Sequence, residues 1–263
     1  MKKICLVFVG VFFLCTGVVQ ASNITIYDKN YSSATGWYGQ QEDNEVEPGM
    51  ETGQKWDLEG FFVNGTKLSL VGGYDFKNGQ SGYTSGDIFI DIDVTGPDAA
   101  KYGDIHEGTN GNKIVQKTYG YDYVLDLDWT TAPNNPTYTV YAMNENTKVK
   151  TAYYWQNQGS SPWRYESGGT VVSTGNTLVY NPNTLNYNGF DGGQHNELIV
   201  DLSFLLTENP ALDHMGFIAH YTMGCGNDNI MGQGTIPNPE PATMLLLGFG
   251  LIGLAGLTRR KLS

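Results

Sequence analysis

Arginine is nearly missing from this chain. Of its three copies two stand at the C-terminus, so Arg164 is the only one in the interior. Basic residues number 15 against 27 acidic ones, for a formal charge of −12. Such a chain repels phosphate backbones and anionic headgroups, which excludes nucleic acid as a partner. Cysteine is scarce as well. Cys5 and Cys15 fall in an N-terminal apolar run, so Cys225 stands alone beyond it and no internal disulfide framework can form. The sequence has no Gly-x-Ser-x-Gly elbow, no His-Glu-x-x-His helix, no phosphate-cradling glycine loop and no paired cysteines. The four histidines, His106, His195, His214 and His220, have no ligand spacing and read as hydrogen-bonded surface residues. No catalytic residue can be nominated, and a non-catalytic role is expected. Long helical periodicity is also absent, which removes bundles and α/β folds.

What the chain does have is concentrated first at its ends. Lys2 and Lys3 precede an apolar run from Ile4 to Val19 and then Val19-Gln20-Ala21, the pattern of an exported leader. Signal peptidase is expected to cut between Ala21 and Ser22. Lipid attachment at Cys15 would need a small residue before it, and Leu14 stands there. At the other end Pro239-Glu240-Pro241 precedes 16 uncharged residues, Ala242 to Leu257, followed by Arg259, Arg260 and Lys261. As a helix that run covers about 24 Å, enough to span a bilayer if the basic side chains snorkel. Positive-inside topology places the C-terminus in the cytoplasm and the body outside. A simple tail anchor would have the same apolar and basic parts.

The triplet, the Leu/Gly-rich run from Met244 to Leu257 and the terminal basic cluster together resemble the PEP-CTERM sorting signal of Gram-negative bacteria. That resemblance implies recognition of Pro239-Glu240-Pro241 by a membrane-embedded exosortase. It implies cleavage nearby and delivery to the cell surface or extracellular matrix, often beside exopolysaccharide. With both ends removed the body keeps 10 basic and 26 acidic residues, near −16. The expected organisation is a signal peptide at 1–21, one domain at 22–232, a linker at 233–238 and the sorting signal at 239–263. Its transmembrane helix would be 242–257, an anchor in transit.

The body reads as all-β, a single β-sandwich or jelly-roll-like domain, because short alternating runs recur between turn residues. The clearest unit is a hairpin of Lys55 to Val63 with Thr66 to Val71 across Asn64-Gly65, a pair suited to a type I′ turn. Ile88, Ile90, Ile92 and Val94 alternate with Phe89, Asp91 and Asp93, and Tyr123 to Trp129 alternates likewise. In each, one face is expected in the core and one in water. Further strands are expected at 23–27, 138–143, 170–173, 177–180, 198–205 and 215–223. The acidic stretch from Gln40 to Gly53 reads as a solvated loop.

Three features carry candidate chemistry. Alternation sets Asp91 with Asp93, and Asp126 with Asp128, about 7 Å apart on one strand face, so these carboxylates are candidate Ca²⁺ ligands. A wet strand face displays the same pattern. Trp37, Trp155 and Trp163 lie in polar, Gly/Ser/Asn-rich stretches where flat rings could stack on sugars, although Trp also belongs in sandwich cores. This defines a carbohydrate-binding alternative, and paired carboxylates in a cleft would define a glycan hydrolase. Finally, Met223-Gly224-Cys225-Gly226-Asn227-Asp228-Asn229 reads as a tight turn holding a buried cysteine. It also resembles a Cys-Gly-Asn-Asp segment of exported PEP-CTERM surface proteins, as do Trp56-Asp57-Leu58-Glu59-Gly60 and Val71-Gly72-Gly73-Tyr74-Asp75-Phe76. The function expected is a structural or adhesive surface protein with exosortase and signal peptidase as its processing partners.

Overall fold

Antiparallel pairing accounts for all the sheets. The structure, a computed structural model, describes residues 21–26, 42–43, 46–47, 49–95, 111–153, 160–185, 190–208, 214–237 and 250. A five-stranded sheet runs in the order β1 (Ser22–Asn23), β3 (Leu58–Asn64), β4 (Lys67–Gly72), β13 (Gln194–Asp201), β12 (Val179–Leu185). A seven-stranded sheet runs β11 (Thr170–Thr177), β8 (Thr137–Ala142), β7 (Tyr123–Asp128), β5 (Ile88–Asp91), β14 (His214–Thr222), β15 (Asn229–Pro237), β2 (Thr25–Ile26). The third sheet is β10 (Arg164–Ser167), β9 (Lys148–Lys150), β6 (Ile114–Gln116). Among the described residues helix is confined to a 3₁₀ turn at Gln54–Trp56, the five residues α1 (Phe204–Glu208) and Gly250. The described body is all-β, as its periodicity indicates.

The two large sheets share one core. Leu58, Phe61, Leu68, Leu70 and Leu198 of the five-stranded sheet join Ile88, Ile90, Leu125, Val140, Phe217 and Tyr221 of the seven-stranded sheet in a single buried cluster. Each such aliphatic or aromatic side chain contributes roughly 1.5–3 kcal/mol by leaving water. Period two delivers these residues to the inner faces, as expected, except that Leu58 and Phe61, three apart, share a face through a register shift in β3.

The outer face of the seven-stranded sheet differs from expectation. Phe89, Val124, Ile218 and Met231 point away from the main core, yet they are buried with Tyr119, Tyr121 and Val149 in a second cluster. The cover is the three-stranded sheet, which packs Val149, Val115 and Tyr165 against them. All four residues of β5 are therefore buried, Asp91 included. Through Phe89 and Asp91 the strand face expected to be wet is an interior layer, and only Asp93, beyond the strand end, is exposed.

Three boundaries also shift. The β3–β4 loop is Gly65-Thr66, since Asn64 pairs with Lys67, and of these loop residues only Gly65 takes positive φ, at 59°. Glycine at the first central position is the type II′ arrangement rather than type I′. The strand expected over 198–205 stops at Asp201, after which Phe204–Glu208 turns helical with Phe204 and Leu205 buried. The last strand, β15, pairs with β14 through His214 opposite Pro237, and Ile236 is fully buried. Residues 233–237, expected as linker, thus complete the sheet.

Among the described residues no helix is long and apolar enough to cross a membrane. Of the expected signal peptide (1–21) all but Ala21, and of the expected transmembrane segment 242–257 all but helical Gly250, lie outside the described residues. Ala21 packs against Phe62, Val71 and Phe190, and Ser22 already pairs with Val63. The expected cleavage therefore falls where the first strand begins.

Candidate functional site

The Gly224-to-Asn229 segment closes the β14–β15 hairpin and organises one end of the molecule. Gly226, at φ 69°, donates to Met223 O at 2.8 Å and makes the turn. The Asn227 side chain then binds Glu51 reciprocally: its Nδ2 donates to Glu51 O at 2.8 Å, and its Oδ1 accepts Glu51 N–H at 3.0 Å. Its carbonyl accepts Glu47 N–H at 3.0 Å. Asp228 Oδ2 accepts Leu58 N–H at 2.6 Å, and Asn229 Nδ2 donates to Glu47 Oε1. The described part of the acidic stretch is consequently solvated only in part: Glu42, Val46 and Glu47 are buried, Glu47 bonded to Asn227 and Asn229, while Glu51 and Thr52 are exposed.

Cys225 sits inside this turn, 1% exposed. Burial pushes its thiol up to about 11, so it stays protonated and unreactive at neutral pH. The turn-held, buried cysteine expected from the flanking glycines is what the structure has.

Next to this end lies an acidic cluster that the sequence reading missed. Carboxylate oxygens of Asp43, Asp57 and Glu59 lie within 4.8 Å of one another. Glu59 reaches it because β3 bulges there: Leu58 opposes Gly72 and Gly60 opposes Val71, leaving Glu59 as the extra residue. Its Oε1 accepts Gln54 Nε2 at 2.5 Å, and its Oε2 lies 3.0 Å from His195 Nε2, both side chains fully buried. Burial first, then the charges of Asp57 and Asp43, push Glu59 up to about 9. His195 Nε2 is also 3.0 Å from Asp191 O, and Asp191 N–H donates to Asp43. The cluster thus fastens residue 43 and the start of β13 to β3. His195 and His220 are both fully buried rather than surface residues, and His220 stacks on Tyr121 at 5.6 Å. A charged residue beside glycine in an otherwise apolar strand, Glu59-Gly60, is the sequence signal for this bulge.

The four aspartates proposed as Ca²⁺ ligands are separated. In the β5–β7 register Ile88 opposes Leu125 and Ile90 opposes Tyr123, which puts Asp91 and Asp93 at one end of the strand pair and Asp126 and Asp128 at the other. Asp91 Oδ1 accepts Asp93 N–H at 2.7 Å, and Asp128 Oδ1 accepts the N–H groups of Thr130 and Thr131 at 2.9 Å. Both are turn acceptors. Asp126 and Asp128 line a cleft of about 390 Å³ together with Asp87 and Arg164. Burial, then Asp126, push Asp87 up to about 8. Its two oxygens accept Leu127 N–H at 2.9 Å and Tyr165 N–H at 2.7 Å, so it staples the three-stranded sheet to β7. Each of its oxygens is thereby committed to a backbone N–H.

Of the three tryptophans suggested as sugar platforms, Trp37 and Trp155 lie outside the described residues. Trp163 is 5% exposed, with Nε1 donating to Asn112 Oδ1 at 3.2 Å and Arg164 over its ring at 5.8 Å. It belongs to the core and offers no open ring face.

Comparison with known proteins identifies the tail. Residues 239–261 match the PEP-CTERM protein-sorting motif, so the chain carries that motif at the position its triplet, apolar run and basic cluster mark. The motif supports exosortase-dependent sorting to the cell surface. No curated protein and no solved structure matches the chain.

Proposed function

We propose that the protein is a non-catalytic β-sandwich component of the outer surface or extracellular matrix. Exosortase would recognise Pro239-Glu240-Pro241 and release the body, after signal peptidase has cut between Ala21 and Ser22. The segment 242–257 would hold the protein in the inner membrane in transit, with Arg259, Arg260 and Lys261 on the cytoplasmic side.

The observation that carries this reading is the sorting motif at 239–261, placed directly after the last strand. A body near −16 that depends on no disulfide suits the exterior, and carboxylates engaged with backbone donors favour a structural role over hydrolysis. The test is the intact mass and cell fraction of the protein in its host with and without the exosortase. Loss of exosortase should leave a heavier, membrane-retained protein. Unchanged mass and unchanged location overturn the proposal.

A further inference from the structure

A groove of about 1100 Å³ lies beside β12, the outermost strand of the five-stranded sheet. In a body so rich in acid its lining includes one carboxylate, Asp75, and that group is fully engaged. Asp75 Oδ1 accepts the N–H groups of Lys77 and Asn78 at 3.0 Å and the Tyr180 hydroxyl at 2.8 Å, while Oδ2 accepts Asn78 Nδ2 at 2.8 Å. Burial works to raise its pKa, yet these donors outweigh burial and hold it below the ordinary carboxylate value. It has little capacity left to gather cations or to move a proton.

The lining also holds two lysines, Lys55 and Lys77, which set against Asp75 leave little net charge, and its commonest polar groups are amides. Asn134, Asn135, Asn183 and Gln194 are exposed on the groove, and their side chains have no partner among the described residues. Asn183 is placed there by a deliberate departure from the sheet. Asn181 opposes Glu197 and Thr184 opposes His195, so β12 bulges between them, and Asn183 adopts φ 57°. Its N–H is held by Asn196 Oδ1 at 3.2 Å, and Asn196 is fixed in turn through Nδ2 to Tyr74 O at 3.0 Å. A bulge and a left-handed non-glycine residue are both features that sheets keep where a side chain must be aimed.

An amide presents a donor and an acceptor side by side, which matches neighbouring hydroxyls on a sugar ring. Pro133, Pro136 and Pro182 add rigid apolar faces to the same wall. Glycoside cleavage needs two carboxyl groups flanking the bond, and this lining has one, already saturated. We infer that the groove binds a neutral polysaccharide chain without cutting it. This deepens the surface or matrix role proposed above and rests on it for its setting alone.

The test uses the exported protein purified from its host, titrated calorimetrically with cello-, laminari-, malto- and mannohexaose, and with trigalacturonate as an acidic probe. At least one neutral hexaose should bind, and Asn183→Gly combined with Gln194→Ala should weaken it at least tenfold with an unchanged thermal midpoint. Glycine keeps the left-handed backbone, so the double variant removes amides and not the bulge. Three outcomes overturn the inference: no binding of any neutral hexaose, binding that the variant leaves intact, or binding of trigalacturonate alone. The intact mass of the same sample separates the two readings. A correctly processed protein that binds no hexaose refutes the groove only, and an unprocessed one that binds refutes the sorting only.

Discussion

Glu59 shows how a single side chain can set the pH response of the whole fold. Its native pKa is raised from 4.5 to about 9, chiefly by burial. Above pH 4.5 the unfolded chain gives up this proton while the native chain keeps it. Stability from this group is therefore full below about 4.5 and declines as pH rises toward about 9. Asp87, raised from 3.8 to about 8, acts in the same direction. Glu59→Gln keeps the contact with Gln54 Nε2 and removes the titration. Its unfolding midpoint should fall less between pH 5 and 9 than that of the parent, and an equal fall in urea-denaturation series would refute the assignment. Asp87 keeps part of the slope in the variant.

The strands legible in the sequence were those whose inner faces alternate over six or more residues, such as Tyr123–Asp128 and His214–Thr222. Illegible were the elements too short to show a period: Lys148–Lys150, Ile114–Gln116 and Arg164–Ser167. These strands make the cover sheet, and missing them made Asp91 look like a solvent-facing ligand. Glu59 and Asn183 were hidden for a related reason, since a bulge shifts side chains off the alternation that sequence patterns rely on. Nor could Asn227 be read as the partner of Glu51, a contact set by tertiary approach across 176 positions. A test of the cover sheet follows from Val149, which is fully buried between it and Phe89. Val149→Asp places a charge in that cluster and should destabilise the domain by several kcal/mol, about 3 or more, seen as a lowered urea midpoint. Val149→Ala should cost about 1–3 kcal/mol. If β9 were a loose surface strand, both variants would unfold like the parent.

At the scale of the whole molecule the folded body and the sorting motif meet almost without a spacer. β15 is paired through Pro237 and the motif begins at Pro239, so a single residue, Asn238, separates them. In extended form two residues reach only about 7 Å. Exosortase would therefore work close against the sheet end that β14 and β15 form, and the two functions of this segment should separate by truncation. A chain ended after Pro237 keeps the whole of β15, including buried Ile236, and should unfold at the parent's midpoint. Ending it after Gly232 removes Gln233 to Pro237, which pair with His214 to Ile218, and opens the core at Ile236. That chain should lose several kcal/mol or fail to fold. Replacing Pro239, Glu240 and Pro241 by alanine in the full chain leaves every strand pair in place. Its purified body should match the parent in thermal midpoint and circular dichroism, while the protein remains in the membrane fraction. A lowered midpoint in that triple variant would show that the motif is part of the fold, and an unchanged fraction would show that it is not the sorting signal of this chain.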